Sequence, residues 1–412
     1  MTKILVISDN GLPTGYGRIA DQVCVRLKKR GYDIFAASLG YDGLLPAQMD
    51  GDLLPYWVAS LAGKNWAEEV VKLIGPVKPD MLMVIQDAPY LEQVRSAPID
   101  WSQYAMVGIT PVDGVPIYPR WVSLLGSLDG AMSISEFGVQ AYRKAGVPIE
   151  LCRPGVDPNV FYPATPDERA AIREKLGLPA GAFLMGTAAM NQGRKAISAM
   201  LKAFFAFAVD KPDARYLLDM EPVSPAGWDI PALCEQHGWD ASRLLFRADA
   251  MRAGLLRLRD RYCAMDAHMV ISHREGYGLP LAEAMACGVV SMALDYCSGP
   301  EIVGDGRGVL VRAIDYAEPG TWGGAEDRFP DMADLIASLN RLYRQPLERA
   351  LIAQRGMTWA REQTWDKAAD AVQGVIEAAL AKRRSWQQPA PVPQPVIAPP
   401  PSAQRLELQE AG

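Results

Sequence analysis

Ser272-His273-Arg274-Glu275-Gly276-Tyr277-Gly278-Leu279-Pro280-Leu281-Ala282-Glu283-Ala284-Met285-Ala286-Cys287-Gly288 is the stretch that decides how this chain reads. The apolar run before it, residues 267–271, predicts a buried strand. Gly276 and Gly278 permit a tight backbone path, Pro280 suits a first helical turn, and Gly288 suits a helix end. A helix over residues 281–287 follows. A glycine loop that opens a helix presents free N–H groups and the positive end of the helix dipole, which makes an anion site. Glu275 sits in that loop. Glu283 lies about one turn into the helix, and helical side chains lean toward the N-terminus, so it can face the same pocket. Two carboxylates would repel a bare phosphate. They suit a ligand that also carries hydroxyls, as a nucleotide sugar does.

Outward from this block, short β-rich runs alternate with amphipathic helical stretches. Strands are expected at Lys3–Ser8, 33–37, 81–86, Ala105–Thr110 and 130–135, and again at Phe183–Ala188, 215–220, Leu244–Phe246, 267–272, 289–294 and 308–311. Continuous apolar strands between helices imply parallel sheets covered on both faces, an α/β arrangement. A turn-rich segment, Cys152-Arg153-Pro154-Gly155-Val156-Asp157-Pro158, divides the chain. Residues 1–155 and 156–355 each have the length for a Rossmann-like doubly wound domain. Residues 356–384, with Trp359 and Trp365, read as a long helix over 357–381. From 385 to 412 the composition collapses, with seven prolines between Trp386 and Ser402, and a disordered Pro-rich tail is expected.

With 412 residues, 49% of them hydrophobic, the chain can bury real cores, and its net charge of −6 argues against a reader of duplex phosphates. No apolar run approaches the roughly 20 residues of a bilayer span. The six cysteines (Cys24, Cys152, Cys234, Cys263, Cys287, Cys297) form no CxxC pair, and only His237, His268 and His273 supply imidazoles. That pattern argues for a cytoplasmic protein and against a zinc or other metal site.

The Glu275-to-Glu283 block, in the form E-G-x-G-L-P-x-x-E-A-x-A-x-G, resembles the signature of the retaining glycosyltransferases of the GT-B fold, glycosyltransferase family 4. Three further stretches are similar to that family: Gly155-Val156-Asp157-x3-Phe161-x-Pro163, Tyr262-x3-Asp266, and Asn191-x2-Arg194-Lys195. The resemblance implies two Rossmann-like domains facing a cleft, with a C-terminal crossover helix on the first. It also implies that Glu275 contacts sugar hydroxyls and Glu283 the nucleotide ribose. Gly276, Gly278 and Leu279 would meet the diphosphate, with Asn191 nearby, while Lys195 and Arg194 would neutralise charge on the leaving group. No cofactor is implied beyond a nucleoside diphosphate sugar, UDP- or GDP-linked.

The first half departs from the pattern. Thr14-Gly15-Tyr16-Gly17-Arg18-Ile19-Ala20 holds a G-x-G-x-x-A match, but residues 9–14 separate it from its strand, which disfavours a dinucleotide site. It reads instead as a glycine loop at the cleft, with Gly15 and Gly17 near the donor and valine at either expected to crowd the loop. The histidine that many relatives place after the strand Ala105–Thr110 has no counterpart, which passes its role to Asp113 or leaves it unfilled; Asp87 is the other cleft carboxylate. A further clamp arginine is replaced by Ala188-Ala189-Met190. The acceptor hydroxyl is of unknown class: glycan, lipid or small molecule by default, with a hydroxylated DNA base as the minority reading. Tyr41, Tyr56, Trp57, Tyr118 and Trp121 are candidates for stacking on it. The basic run Arg26, Lys28, Lys29, Arg30 leaves peripheral membrane contact open. The alternative to an enzyme is a non-catalytic binding subunit of the same fold.

Overall fold

The computed structural model describes residues 1–43, 47–49, 52–61, 65–179, 181–247, 254–320 and 324–387. Of the tail expected over 385–412, residues 385–387 belong to the last helix, and those from 388 onward, with parts of the 40–63 acceptor loop, lie outside the described residues.

Two parallel sheets form the framework. In the first, the strands Lys3–Ser8, Asp33–Leu39, Trp57–Leu61, Met81–Ile85, Ala105–Thr110, Gly130–Ser133 and Glu150–Leu151 stand in the spatial order 3-2-1-4-5-6-7. In the second, Phe183–Ala188, Ala214–Asp219, Leu244–Phe246, Ala267–Val270, Val290–Leu294 and Val309–Val311 stand in the order 3-2-1-4-5-6. Both are doubly wound. Runs such as Met81–Ile85 and Phe183–Ala188 are buried at every position because helices cover both faces, which is why they read as unbroken apolar segments. The edge strand Trp57–Leu61 and the hairpin Ala313–Pro319/Glu326–Pro330 were not anticipated. Trp57–Leu61 is apolar but half exposed at the sheet edge, and the hairpin is rich in charged residues.

The expected single helix over 357–381 is two helices, Pro346–Glu362 and Trp365–Gln387. The chain breaks at Gln363-Thr364 where the interdomain segment presses against it. There Val156 N–H donates to Gln363 O at 2.7 Å, and a Cβ on Gly155 would lie 2.2 Å from Trp365 N. Gly155→Ala is therefore expected to lower stability by about 3 kcal/mol, because neither backbone can yield without losing that contact. A urea midpoint equal to that of the parent would contradict this close approach.

Beyond the break, the helix Trp365–Gln387 crosses onto the first domain. Trp365, Ala368, Ala369, Val372, Ile376 and Ala379 form its buried stripe, packed against the helix Gly15–Lys29 and the first sheet. The basic run finds acids here. Arg26 pairs with Asp366 at 2.9 Å, Arg30 with Asp370 at 2.6 Å, and Lys28 with Asp33 at 3.0 Å. Arg26 and Arg30 thus dock the crossover helix, while Lys28 pairs within the first domain. No described helix is long and apolar enough to cross a membrane.

Candidate active site

The buried strand Ala267–Val270 delivers the chain to the glycine loop at the carboxyl end of the second sheet. Gly278, with φ of 100°, takes the left-handed conformation at the start of the helix Leu279–Ala286, and Pro280 occupies its first turn. Gly276 faces the first domain so closely that a Cβ would stand 2.7 Å from Pro111 Cβ. From behind, Ser298 Oγ donates to the carbonyls of Glu275 (3.0 Å) and Tyr277 (2.7 Å), and Tyr277 Oη donates to Pro154 O at 3.2 Å. The loop is thereby tied to the interdomain segment.

Glu275 accepts from Lys195 Nζ and, at 2.9 Å, from Ser272 Oγ, with Arg194 Nη1 3.7 Å away. Burial alone would push its carboxyl up. The cations Lys195 and Arg194 outweigh it and hold the group down at about 2, so Glu275 is ionised at neutral pH. Burial and the adjacent Arg194 lower the Lys195 ammonium from its ordinary value, which Glu275 only partly offsets. Both cations stand in a short turn, Gly193–Lys195. The helix behind begins at Ile197, after Ala196 in the left-handed region, so the two cations stand ahead of that helix and not in its first turn. Arg194 is threaded into the facing loop: its carbonyl accepts from His273 N–H (2.8 Å) and its Nη1 donates to Arg274 O (3.1 Å).

Glu283, 2% exposed, accepts from Tyr262 Oη at 3.1 Å and is paired with Arg18, which reaches across from the first domain. Leu279 is buried beneath the loop. Asn191 stands apart from the cluster. Its Nδ2 donates to Glu221 O (3.1 Å) and Trp228 O (2.8 Å), while its Oδ1 accepts from Trp228 N–H (2.9 Å). The side chain expected to face a donor is instead a staple for the 221–228 loop.

On the first-domain wall, Asp113 is half exposed and lies 3.9 Å from Arg274 Nη1. Tyr16, between the two glycines, donates to Asp87. Burial raises the Asp87 carboxyl despite that bond, and it raises Asp9 too, although Thr14 and Gln86 donate to Asp9. The glycines differ. A Cβ on Gly17 would lie 2.0 Å from Leu12 O and 2.7 Å from Asp9 O, whereas one on Gly15 meets nothing within 4 Å. The expected crowding of the loop by valine holds at Gly17 and is corrected for Gly15. Tyr56, expected to stack on an acceptor, is buried in a network with Asn10 (3.1 Å) and Asp21 (2.8 Å) that shapes the loop after the first strand. Tyr118 and Trp121 pair edge to face at 5.5 Å after Pro116.

Tyr16, Arg18 and Arg274 were missed in the sequence. Their only signals were position: two inside the glycine loop's turn and one beside Glu275. Arg274, 3% exposed, pairs with Asp327 of the hairpin, whose Glu326 N–H donates to Val115 O at 2.9 Å. The hairpin thus touches both walls.

A titrating group on the helix Gly299–Val303 faces the interdomain segment. Glu301 accepts from Phe137 N–H (3.3 Å) and lies 3.6 Å from Arg153. Burial pushes its carboxyl up to about 7 despite Arg153. Between its unfolded value and about 7 the folded state holds a proton that the unfolded chain has lost, so the cost grows as pH rises and is complete above about 7. Glu301→Gln is expected to raise stability by about 3 kcal/mol at pH 8, the gain fading toward pH 4.5. Urea melts showing the same gain at both pH values would contradict the shift.

Residues 243–319 match the family model described as glycosyl transferases group 1. A D-inositol 3-phosphate glycosyltransferase of Stackebrandtia nassauensis is 30% identical over 260 residues, 61% of this chain and 53% of that protein. The chain spans about half the length of the curated relatives it matches. Among solved structures, sucrose-phosphate synthase from Thermosynechococcus elongatus has a TM-score of 0.73 at 18% identity, over 93% of this chain and 100% of that one. HepE of Anabaena, in complex with UDP and glucose, has a TM-score of 0.73 at 17% identity, over 92% and 100%. At such identities the likeness is one of fold. Fold and sequence likeness together give a chain of GT-B architecture whose residues 243–319 are similar to the group 1 glycosyl transferases.

Proposed function

We propose that this chain is a retaining, metal-independent glycosyltransferase that moves a sugar from a nucleoside diphosphate sugar to an acceptor hydroxyl. The observation that carries the reading is the meeting of Lys195, Arg194 and Glu275 at the mouth of the glycine loop that opens the helix Leu279–Ala286. The donor diphosphate would sit at that helix N-terminus, with Lys195 and Arg194 beside it. Glu275, ionised at neutral pH, accepts hydrogen bonds from sugar hydroxyls and does not act as a general acid.

As the bond from the anomeric carbon to the phosphate oxygen breaks, negative charge grows on the leaving diphosphate. Two cations already in place stabilise it without reorganisation, which supports a reaction that needs no metal ion. The acceptor oxygen then bonds to the anomeric carbon on the face the diphosphate has left, and a phosphate oxygen takes the hydroxyl proton. The acceptor enters between this cluster and the first-domain wall of Tyr16, Asp87 and Asp113. No further cofactor is called for.

The test is nucleoside diphosphate release from a panel of UDP- and GDP-sugars, with glycan, lipid, small-molecule and hydroxylated-base acceptors, in EDTA. Release that EDTA leaves unchanged within twofold, with retained anomeric configuration by NMR, is the expected result. A strict Mn2+ requirement or an inverted product would overturn the reading.

A further inference from the structure

The pairing of Arg18 with Glu283 joins the two domains by a hydrogen-bonded ion pair, and the function proposed above gives that pair a second state. Arg18 lies one residue past Gly17, whose missing side chain lets the first turn of the helix Gly15–Lys29 press on the carbonyls of Leu12 and Asp9. From there its guanidinium crosses to Glu283, where the two side chains are 18% and 3% exposed. Its Nε is buried and has no hydrogen-bond partner. Across the same cleft Lys195 is paired with Glu275. Each carboxylate therefore has a cation as its present partner.

A nucleoside diphosphate sugar brings both groups that such pairs lack: an anionic diphosphate for cations, and hydroxyls for carboxylates. It can replace the two ion pairs group for group, leaving no buried charge uncompensated. The second domain supplies Lys195 and Arg194 to the diphosphate, while Met190, 54% exposed in the same loop, supplies no charge. We propose that Arg18 is a diphosphate-binding residue contributed by the first domain, released from Glu283 when donor hydroxyls take that carboxylate. Binding of donor in the second domain then draws the first domain's glycine loop toward it. This inference rests on the proposed function, since it presupposes a nucleoside diphosphate in the cleft.

Calorimetric titration with UDP, GDP, uridine and guanosine tests it on the full chain, with thermal melting to confirm that each variant is folded. For the nucleoside diphosphate that the parent binds, Arg18→Gln is expected to weaken affinity at least tenfold. Affinity for the matching nucleoside does not fall, because the variant leaves Glu283 open to ribose. Arg18→Lys, which restores a cation, recovers at least half of the lost binding free energy. If Arg18→Gln binds the diphosphate as tightly as the parent or more tightly, Arg18 is only a lock on Glu283 and the proposal is overturned. If the parent binds neither UDP nor GDP, the proposed function fails instead, so the two failures are distinct.

Discussion

Glu275→Gln is expected to lower sugar transfer roughly 1000-fold, the upper range for removing one preorganised electrostatic contact from a transition state. Although Glu275 lies in a loop, its pairing with Lys195 ties it to stability as well. The amide keeps the shape and can still accept from Ser272, but it leaves a buried ammonium without its anion, at a cost of about 3 kcal/mol. The variant therefore melts earlier while remaining folded at 25 °C. Transfer measured at a temperature where melting shows a folded protein isolates the chemical effect. Activity within tenfold of the parent there would remove Glu275 from the reaction.

Gly17→Val and Gly15→Val are expected to part sharply. At Gly17 the new Cβ collides with two backbone carbonyls, which cannot rotate away as a side chain could, and the loss is about 4 kcal/mol or more. Asp9, Thr14 and Tyr16 then leave their hydrogen bonds, and the first-domain wall loses its shape. At Gly15 the Cβ enters open space without positive φ, and stability changes by less than about 1 kcal/mol. Denaturant melts of the two variants decide the matter, and equal losses would show that the loop is held in another way.

Much of the framework was legible because the parallel strands are buried on both faces. Lys3–Ser8, Ala105–Thr110, Phe183–Ala188 and Leu244–Phe246 have the bounds their apolar runs suggested. The donor-side loop was legible for a different reason: Gly278, Pro280 and Gly288 each answer a local backbone requirement, whereas Gly276 answers the approach of Pro111 from the first domain. What escaped were properties of contact between distant segments. Asn191 stood in a promising motif, yet its amide is used by the 221–228 loop, thirty or more residues away. Gly15 and Gly17 look alike in sequence and differ only in what lies beside them. Arg18 and Arg274 became visible as site residues only once Glu283 and Asp327 were brought to them by the fold. The break at Gln363-Thr364 carries one local signal, Thr364 Oγ1 accepting from Lys367 N–H at 3.3 Å, and Gly155 presses on it from another segment.

The central claim is that a nucleoside diphosphate sugar binds where the Lys195 turn meets the Glu275 loop. Hydrogen–deuterium exchange of the full chain, with and without a saturating UDP- or GDP-sugar, tests it most directly. The account predicts that slowed exchange concentrates in residues 191–197 and 275–281, with a second, smaller effect at residues 14–18. Saturation of the chain by donor with unchanged exchange in 191–197 and 275–281 would contradict it.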